Sequence, residues 1–196
     1  MLEVLLIRPG STTFDEEGRI KGAMDIPLSR QGRQQAAELA ERLKTVKLDC
    51  LYVSPAESAQ QSAQQIAQLN FCRVKTLDCL RNVNQGLWQG KLVSDVKRLQ
   101  PKVYRQFQEH PADVCPPQGE TVLEAIDRIQ SQISKLLKRH DGGRVGILIP
   151  QPLAAIVHCV LLGGSLGDLW KSELDFGTFE VLRVEAKQKS AELARI

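Results

Sequence analysis

Residues 3–12 read Glu3-Val4-Leu5-Leu6-Ile7-Arg8-Pro9-Gly10-Ser11-Thr12, an apolar, partly β-branched run that stops at a cation, a proline and a glycine. A strand buried on both faces of a parallel sheet reads as a continuous apolar run and ends where the chain leaves the sheet for a loop. The stretch therefore predicts a first strand over 3–7. Similar short runs predict further strands at 50–53, 71–77, 145–149 and 179–184.

Helical patterns separate these runs. Over 29–46, Ala36, Leu39, Ala40 and Leu43 recur on one helix face behind Ser29, a natural N-cap. In Ser54-Pro55-Ala56-Glu57 the serine is expected to cap, the proline to take the first helical position and the glutamate to close a capping box. Over 120–137, Val122, Ile126, Ile129, Ile133 and Leu136 make a stripe that ends at His140-Asp141-Gly142-Gly143. Residues 153–162 are apolar nearly all round, as in a central helix packed on a sheet. The stretch 90–117 holds short polar helical pieces, expected to form an insertion over one face of the sheet. The alternation predicts an α/β fold: a three-layer α/β/α sandwich with a mostly parallel sheet, one domain over 1–185, and a helix-prone tail at 186–196. Ligands in such folds bind beyond the carboxyl ends of the strands, here the loops at Arg8, Ser54, Leu80 and Pro150.

Composition narrows the function classes. The 196 residues carry a net charge of +3 from 26 Lys and Arg against 23 Asp and Glu, with the basic residues scattered. A dedicated nucleic-acid binder clusters its cations, so no nucleic-acid partner is expected. The apolar run at 153–162 is far shorter than the roughly 20 residues that span a bilayer, and the N-terminus lacks the basic and apolar regions of a secretory signal. No membrane association and a cytoplasmic location are expected. Cys50, Cys72, Cys79, Cys115 and Cys159 form no C-x-x-C pair, which argues for reduced thiols and against a zinc knuckle; neither metal nor cofactor is expected.

Beyond the first strand, the motifs fall into a known order. Arg8-Pro9-Gly10-Ser11-Thr12, Gly18-Arg19-Ile20-Lys21-Gly22, Asp25-Ile26-Pro27-Leu28-Ser29, Ser54-Pro55, Gly86-Leu87-Trp88-Gln89-Gly90 and Pro117-Gln118-Gly119-Glu120 succeed one another. Together they resemble the histidine phosphatase superfamily, phosphoglycerate mutase-like branch, over nearly the whole chain to about Val184. The resemblance implies a nucleophilic histidine in an Arg-His-Gly-Glu-Thr sequence, a second histidine and two arginines for the phosphate, and a glutamate proton donor. In this chain the nucleophile position is Pro9, the second histidine Pro150, the proton donor Asn82 and the second arginine Ser58. Arg8 alone remains of the five.

These substitutions remove the chemistry. Proline within a chain offers no side-chain lone pair to phosphorus. An amide such as Asn82 cannot protonate a leaving oxygen, a contribution usually worth about 10²- to 10⁴-fold in rate. Ser58 and Pro150 lack the positive charge, and Ser58 the fork, that hold phosphate oxygens. Pro9, Pro150 and Pro152 also lack backbone N–H groups that could face an anion. A catalytically degenerate member is expected, with Arg8, Gly10, Ser11, Thr12, Lys21, Ser58, Asn82 and Gln151 as the ligand-binding positions.

Other residues could restore activity only from elsewhere. His158 lies about 12 Å of helix beyond Pro150 and reads as a core or helix-packing residue. His140, in a turn after a helix, reads as a surface residue, and His110 as a solvent-facing loop residue. Cys115 is a candidate replacement nucleophile without an evident base. Glu57 reads as a cap and Trp88 as a packing residue, whereas Lys21 and Arg81 could supply replacement charge. For Arg8 two readings compete: an anion ligand, or an ion pair with a carboxylate at the strand end. The favoured expectation is a non-catalytic binding or regulatory module. The alternatives are a hydrolase with a replacement nucleophile, such as Cys115 or an activated water, and a structural subunit that binds another protein through 90–117. A phosphorylated small molecule or other anion held weakly, a protein partner and a second copy of the chain are the partners left open.

Overall fold

The computed structural model describes residues 1–140, 142–163, 166, 169 and 175–184, so the expected tail at 186–196 lies outside the described residues. In chain order the elements are β1 (Leu2–Ile7), α1 (Thr13–Glu16), α2 (Arg30–Leu43), β2 (Cys50–Val53), α3 (Glu57–Asn70), β3 (Val74–Thr76), α4 (Val93–Leu99), α5 (Pro101–Glu109), α6 (Val122–Arg139), β4 (Gly143–Leu148), α7 (Leu153–Leu162) and β5 (Phe179–Val184). The sheet order is β3-β2-β4-β1-β5. β1 runs parallel to β4, from Leu2↔Gly143 to Ile7↔Leu148, and β2 is parallel to both β4 and β3. Among the described residues only β5 runs the other way, pairing Leu2↔Val184 through Ile7↔Phe179 along the outer edge of β1.

Side chains on a strand alternate between faces, and both faces are buried here. Val4, Leu6, Cys50, Tyr52, Val145 and Ile147 enter one core with α6 and α7. Leu5, Ile7, Leu51 and Val53 enter the other with α2 and α3. This is why the strand sequences are apolar throughout, and it makes the molecule a three-layer α/β/α sandwich with a mostly parallel sheet. α6 presents Val122, Ala125, Ile126, Ile129, Ile133, Leu136 and Leu137 to its core behind a capping box between Thr121 and Glu124. Burying each of its large aliphatic side chains contributes about 1.5–3 kcal/mol. The 90–117 stretch folds into α4, α5 and a short 3₁₀ turn, and it contributes Val96, Phe107 and Val114 to the same core.

Three local expectations are corrected. α3 starts at Glu57 with Ala56 as N-cap and no side-chain cap, so the Ser54–Glu57 capping box does not form. Ser54 is still held by the sheet through its N–H to Leu148 O (2.9 Å), and its Oγ accepts only from Ala56 N (3.2 Å). Glu57 instead accepts from Gln61 Nε2. The strand expected over 71–77 shrinks to Val74–Thr76, because α3 runs to Asn70 and Phe71 closes it in the left-handed conformation with its ring exposed. α2 keeps Ser29 as its cap, with Oγ accepting from Gly32 N (2.8 Å), but stops at Leu43 rather than near Val46.

Candidate functional site

The loop after β1 is shaped by contact with α2. A Cβ at Gly10 would stand 2.0 Å from Gly32 O, and one at Gly32 would stand 1.8 Å from Ser11 O, so both positions must be glycine for the backbones to meet. The three N–H groups after Pro9 are already taken. Gly10 N donates to Ser62 Oγ (3.2 Å), Ser11 N to Gln35 Oε1 (2.8 Å) and Thr12 N to Asp15 Oδ2 (2.7 Å). Thr12 is the N-cap of α1, in a reciprocal capping box with Asp15. Ser11 Oγ lies 3.3 Å from both Glu16 Oε1 and Ser29 Oγ, and Ser29 Oγ donates to the same Glu16 oxygen. Ser58 is buried in the first turn of α3, and its carbonyl accepts from Ser62 Oγ (2.9 Å), the atom that also receives Gly10 N.

Both cations are paired. Arg8 Nε lies 3.1 Å from Asp175 Oδ2 and its Nη2 2.5 Å from Glu180 Oε1, so the guanidinium sits in the strand-end ion pair. Lys21 is buried, and its Nζ donates to both Asp15 oxygens at 2.9 and 2.8 Å. Phe176, next to Asp175, places its ring 6.0 Å from that Nζ. Asp15, Asp175 and Glu180 thus put three carboxylates on two cations, with Glu16 on the nearby Ser11 and Ser29 hydroxyls, opposite to what a phosphate dianion requires.

On the far side of the loop cluster, Asn82 is buried and fully bonded. Its Nδ2 donates to Gly22 O and Gln151 O, both at 2.8 Å, and its Oδ1 accepts from Leu153 N (3.2 Å). The free N–H groups at the start of a helix are a ready anion site, but those of α7 are occupied from within. Besides Leu153 N, Ala154 N donates to Pro150 O (3.1 Å) and Ala155 N to Gln151 Oε1 (3.1 Å). Hydrogen bonds within the chain engage all eight positions expected to bind a ligand, while Arg8 Nε is buried without a hydrogen-bond partner.

The remaining candidates lie apart from this cluster or serve packing. His158 is not a core residue: its side chain is 40% exposed on α7, with Nε2 3.5 Å from Glu180 Oε2. His140 is not simply a surface residue, since its Nε2 lies 2.9 Å from Tyr52 Oη where the turn after α6 folds back on β2. His110 is exposed and joins α5 to the 3₁₀ turn at Pro111–Asp113. Cys115 is exposed, with its thiol against the carbonyls of Pro116 and Gly119. Burial pushes the Cys72, Cys79 and Cys159 thiols up from their ordinary value, which disfavours the thiolate. Trp88 is buried edge-to-face on Phe107, and the exposed Arg81 reaches Asp25 only at 4.0 Å. Among the described residues no group of His, Cys, Asp and Glu could hold a metal ion, and no helix is long and apolar enough to cross a membrane.

Sequence reasoning missed the carboxylates. Thr12-x-x-Asp15 carried a visible capping signal, but nothing local tied Asp175 and Glu180 to Arg8, since that contact depends on β5 pairing along β1.

A family model described as "Histidine phosphatase superfamily (branch 1)" matches residues 4–196. Phosphoserine phosphatase 1 of Hydrogenobacter thermophilus is 28% identical over 188 residues, covering 96% of this chain and 89% of that protein. Phosphoglycerate mutase-like protein 4 of Arabidopsis thaliana is 32% identical over 149 residues, covering 74% of this chain and 65% of that protein. Among solved structures, YhfR of Bacillus stearothermophilus matches with a TM-score of 0.83 at 24% identity, covering 95% of this chain and 93% of that chain. A mycobacterial glucosyl-3-phosphoglycerate phosphatase matches with a TM-score of 0.83 at 20% identity, covering 96% and 94% respectively. At these identities the structural matches speak for the fold.

Proposed function

The chain belongs to branch 1 of the histidine phosphatase superfamily, and on that premise we propose that it is a non-catalytic member, a binding or regulatory module with at most weak affinity for phosphate. One observation carries the reading. The positions that would receive, bind and protonate a phosphoryl group hold Pro9, Ser58, Asn82 and Pro150, and the backbone N–H and Asn82 amide donors around them are bonded to the chain itself. Proline cannot form a phosphoenzyme, and an amide locked between two carbonyls and an N–H has no proton for a leaving group. The internal bonds also mean that a phosphate would have to break protein hydrogen bonds in order to enter, whereas a productive anion site presents them preformed. The same reading puts the protein in the cytoplasm, where its free cysteines stay reduced.

The test is turnover by the purified chain on phosphoserine, 3-phosphoglycerate and an aryl phosphate, with acid-quench trapping of any phosphorylated intermediate. The expected result is neither turnover above buffer nor a trapped adduct. Hydrolysis that disappears in Arg8→Ala would overturn the reading.

A further inference from the structure

Arg8 is the sole phosphate-binding residue that the family pattern leaves in this chain, yet two carboxylates already hold it. We propose that Asp175 and Glu180 are specificity-determining residues that clasp Arg8 and close this site to tetrahedral oxyanions, and that neutralising both reopens it to phosphate. The proposal rests on the non-catalytic reading above and adds the reason for weak phosphate affinity.

The geometry of the clasp is specific. A guanidinium presents its donors in a rigid fork that suits either carboxylates or phosphate oxygens. Here Nη2 donates to Glu180 Oε1 at 2.5 Å, while Asp175 Oδ2 lies 3.1 Å from Nε as an ion pair whose geometry is not that of a hydrogen bond, leaving the Arg8 side chain 12% exposed. The other Glu180 oxygen lies 3.5 Å from His158 Nε2 on α7.

The backbone fixes the carboxylates in place. Arg8 N donates to Thr178 O and Gly177 N to Pro9 O, each at 2.9 Å, continuing the antiparallel β1–β5 pairing past the end of the strand. Gly177, at φ +61°, turns against α2, where a Cβ would stand 2.8 Å from Gln35 Cβ. The segment from Asp175 to Glu180 is therefore tied to residues 7–9, which keeps both carboxylates beside Arg8. A phosphate at Arg8 would lie beside two like charges, and such juxtaposition opposes binding strongly. Lys21 offers no relief, since Asp15 holds it with both oxygens. Asp175 and Glu180 are 45% and 32% exposed but Arg8 only 12%, so neutralising both carboxylates leaves a nearly buried charge unpaired and is expected to cost some stability.

Isothermal titration calorimetry with inorganic phosphate on the full chain, D175N/E180Q and R8A/D175N/E180Q tests the clasp. D175N/E180Q is expected to bind phosphate about tenfold or more tightly than wild type, and R8A in that background to abolish the gain. Melting temperature reads the structural role separately and is not expected to track the affinity. A folded D175N/E180Q that binds no better than wild type, or a gain that survives R8A, overturns the proposal. Should the double variant fail to fold, E180Q alone is read: it removes the shorter of the two contacts, and a folded E180Q with unchanged affinity also overturns the clasp. The two readings fail differently. Wild-type turnover defeats the non-catalytic reading, whereas a missing gain in phosphate affinity by a protein without turnover defeats the clasp alone.

Discussion

Asn82, where the family resemblance expects the proton donor, is a structural tie in this chain. It ties Gly22, Gln151 and Leu153 together from 60 to 71 residues away in sequence. Replacing it by an isosteric carboxylate, Asn82→Asp, removes two donated bonds and sets a negative charge against two carbonyl oxygens. Each buried polar group left unsatisfied costs about 1–3 kcal/mol, so urea denaturation is expected to show a loss of about 2–4 kcal/mol at neutral pH, easing in acid as the carboxyl protonates. Restoring the nucleophile alone is expected to achieve nothing. Pro9→His leaves Asn82 unable to donate a proton, Ser58 without charge and Arg8 paired, so aryl phosphate hydrolysis should stay at the buffer rate; a trapped phosphohistidine in that variant would contradict this. At this scale the sequence showed which residue types stand at the expected reaction positions but not what they bond to. Gly10 is legible as small, but its partner Gly32 is visible only once α2 lies against the loop.

The elements were most legible where periodicity was long. The stripe from Val122 to Leu136 and the apolar run at 153–162 predict α6 and α7 closely, because burial on one face or all round leaves a repeating mark. Short elements were not: β3 has three residues, and the start of α3 depended on how far β2 stayed in the sheet, which Ser54-Pro55 does not encode. The α6 cap makes a prediction of its own. Bonds from the Thr121 backbone N–H and side chain hold the Glu124 carboxyl below its ordinary value. A carboxyl lowered in the folded state stabilises above its unfolded value and loses that contribution as pH falls through the folded one. The stability gap between wild type and Glu124→Gln should therefore be full at neutral pH and narrow as the solution is acidified below the ordinary carboxylate range, as read from urea midpoints across a pH series.

In the whole molecule, the two cores on either side of one sheet put four of the five cysteines out of easy reach: Cys50 and Cys159 are buried, Cys72 and Cys79 half-buried, and Cys115 exposed. Mass spectrometry after brief treatment with a thiol reagent at neutral pH should find Cys115 modified first, with the melting temperature unchanged. The layered architecture could be read from alternating strands and helices, yet the direction of β5 could not, because an apolar run carries no sign of which neighbour it will join. That direction has a consequence for synthesis. β1 is made long before β5, so while the polypeptide emerges the outer edge of β1 stands bare, with unmatched backbone groups of the kind that invite intermolecular sticking. The nascent chain can seal that margin, and bring both carboxylates to Arg8, only after β5 has left the ribosome.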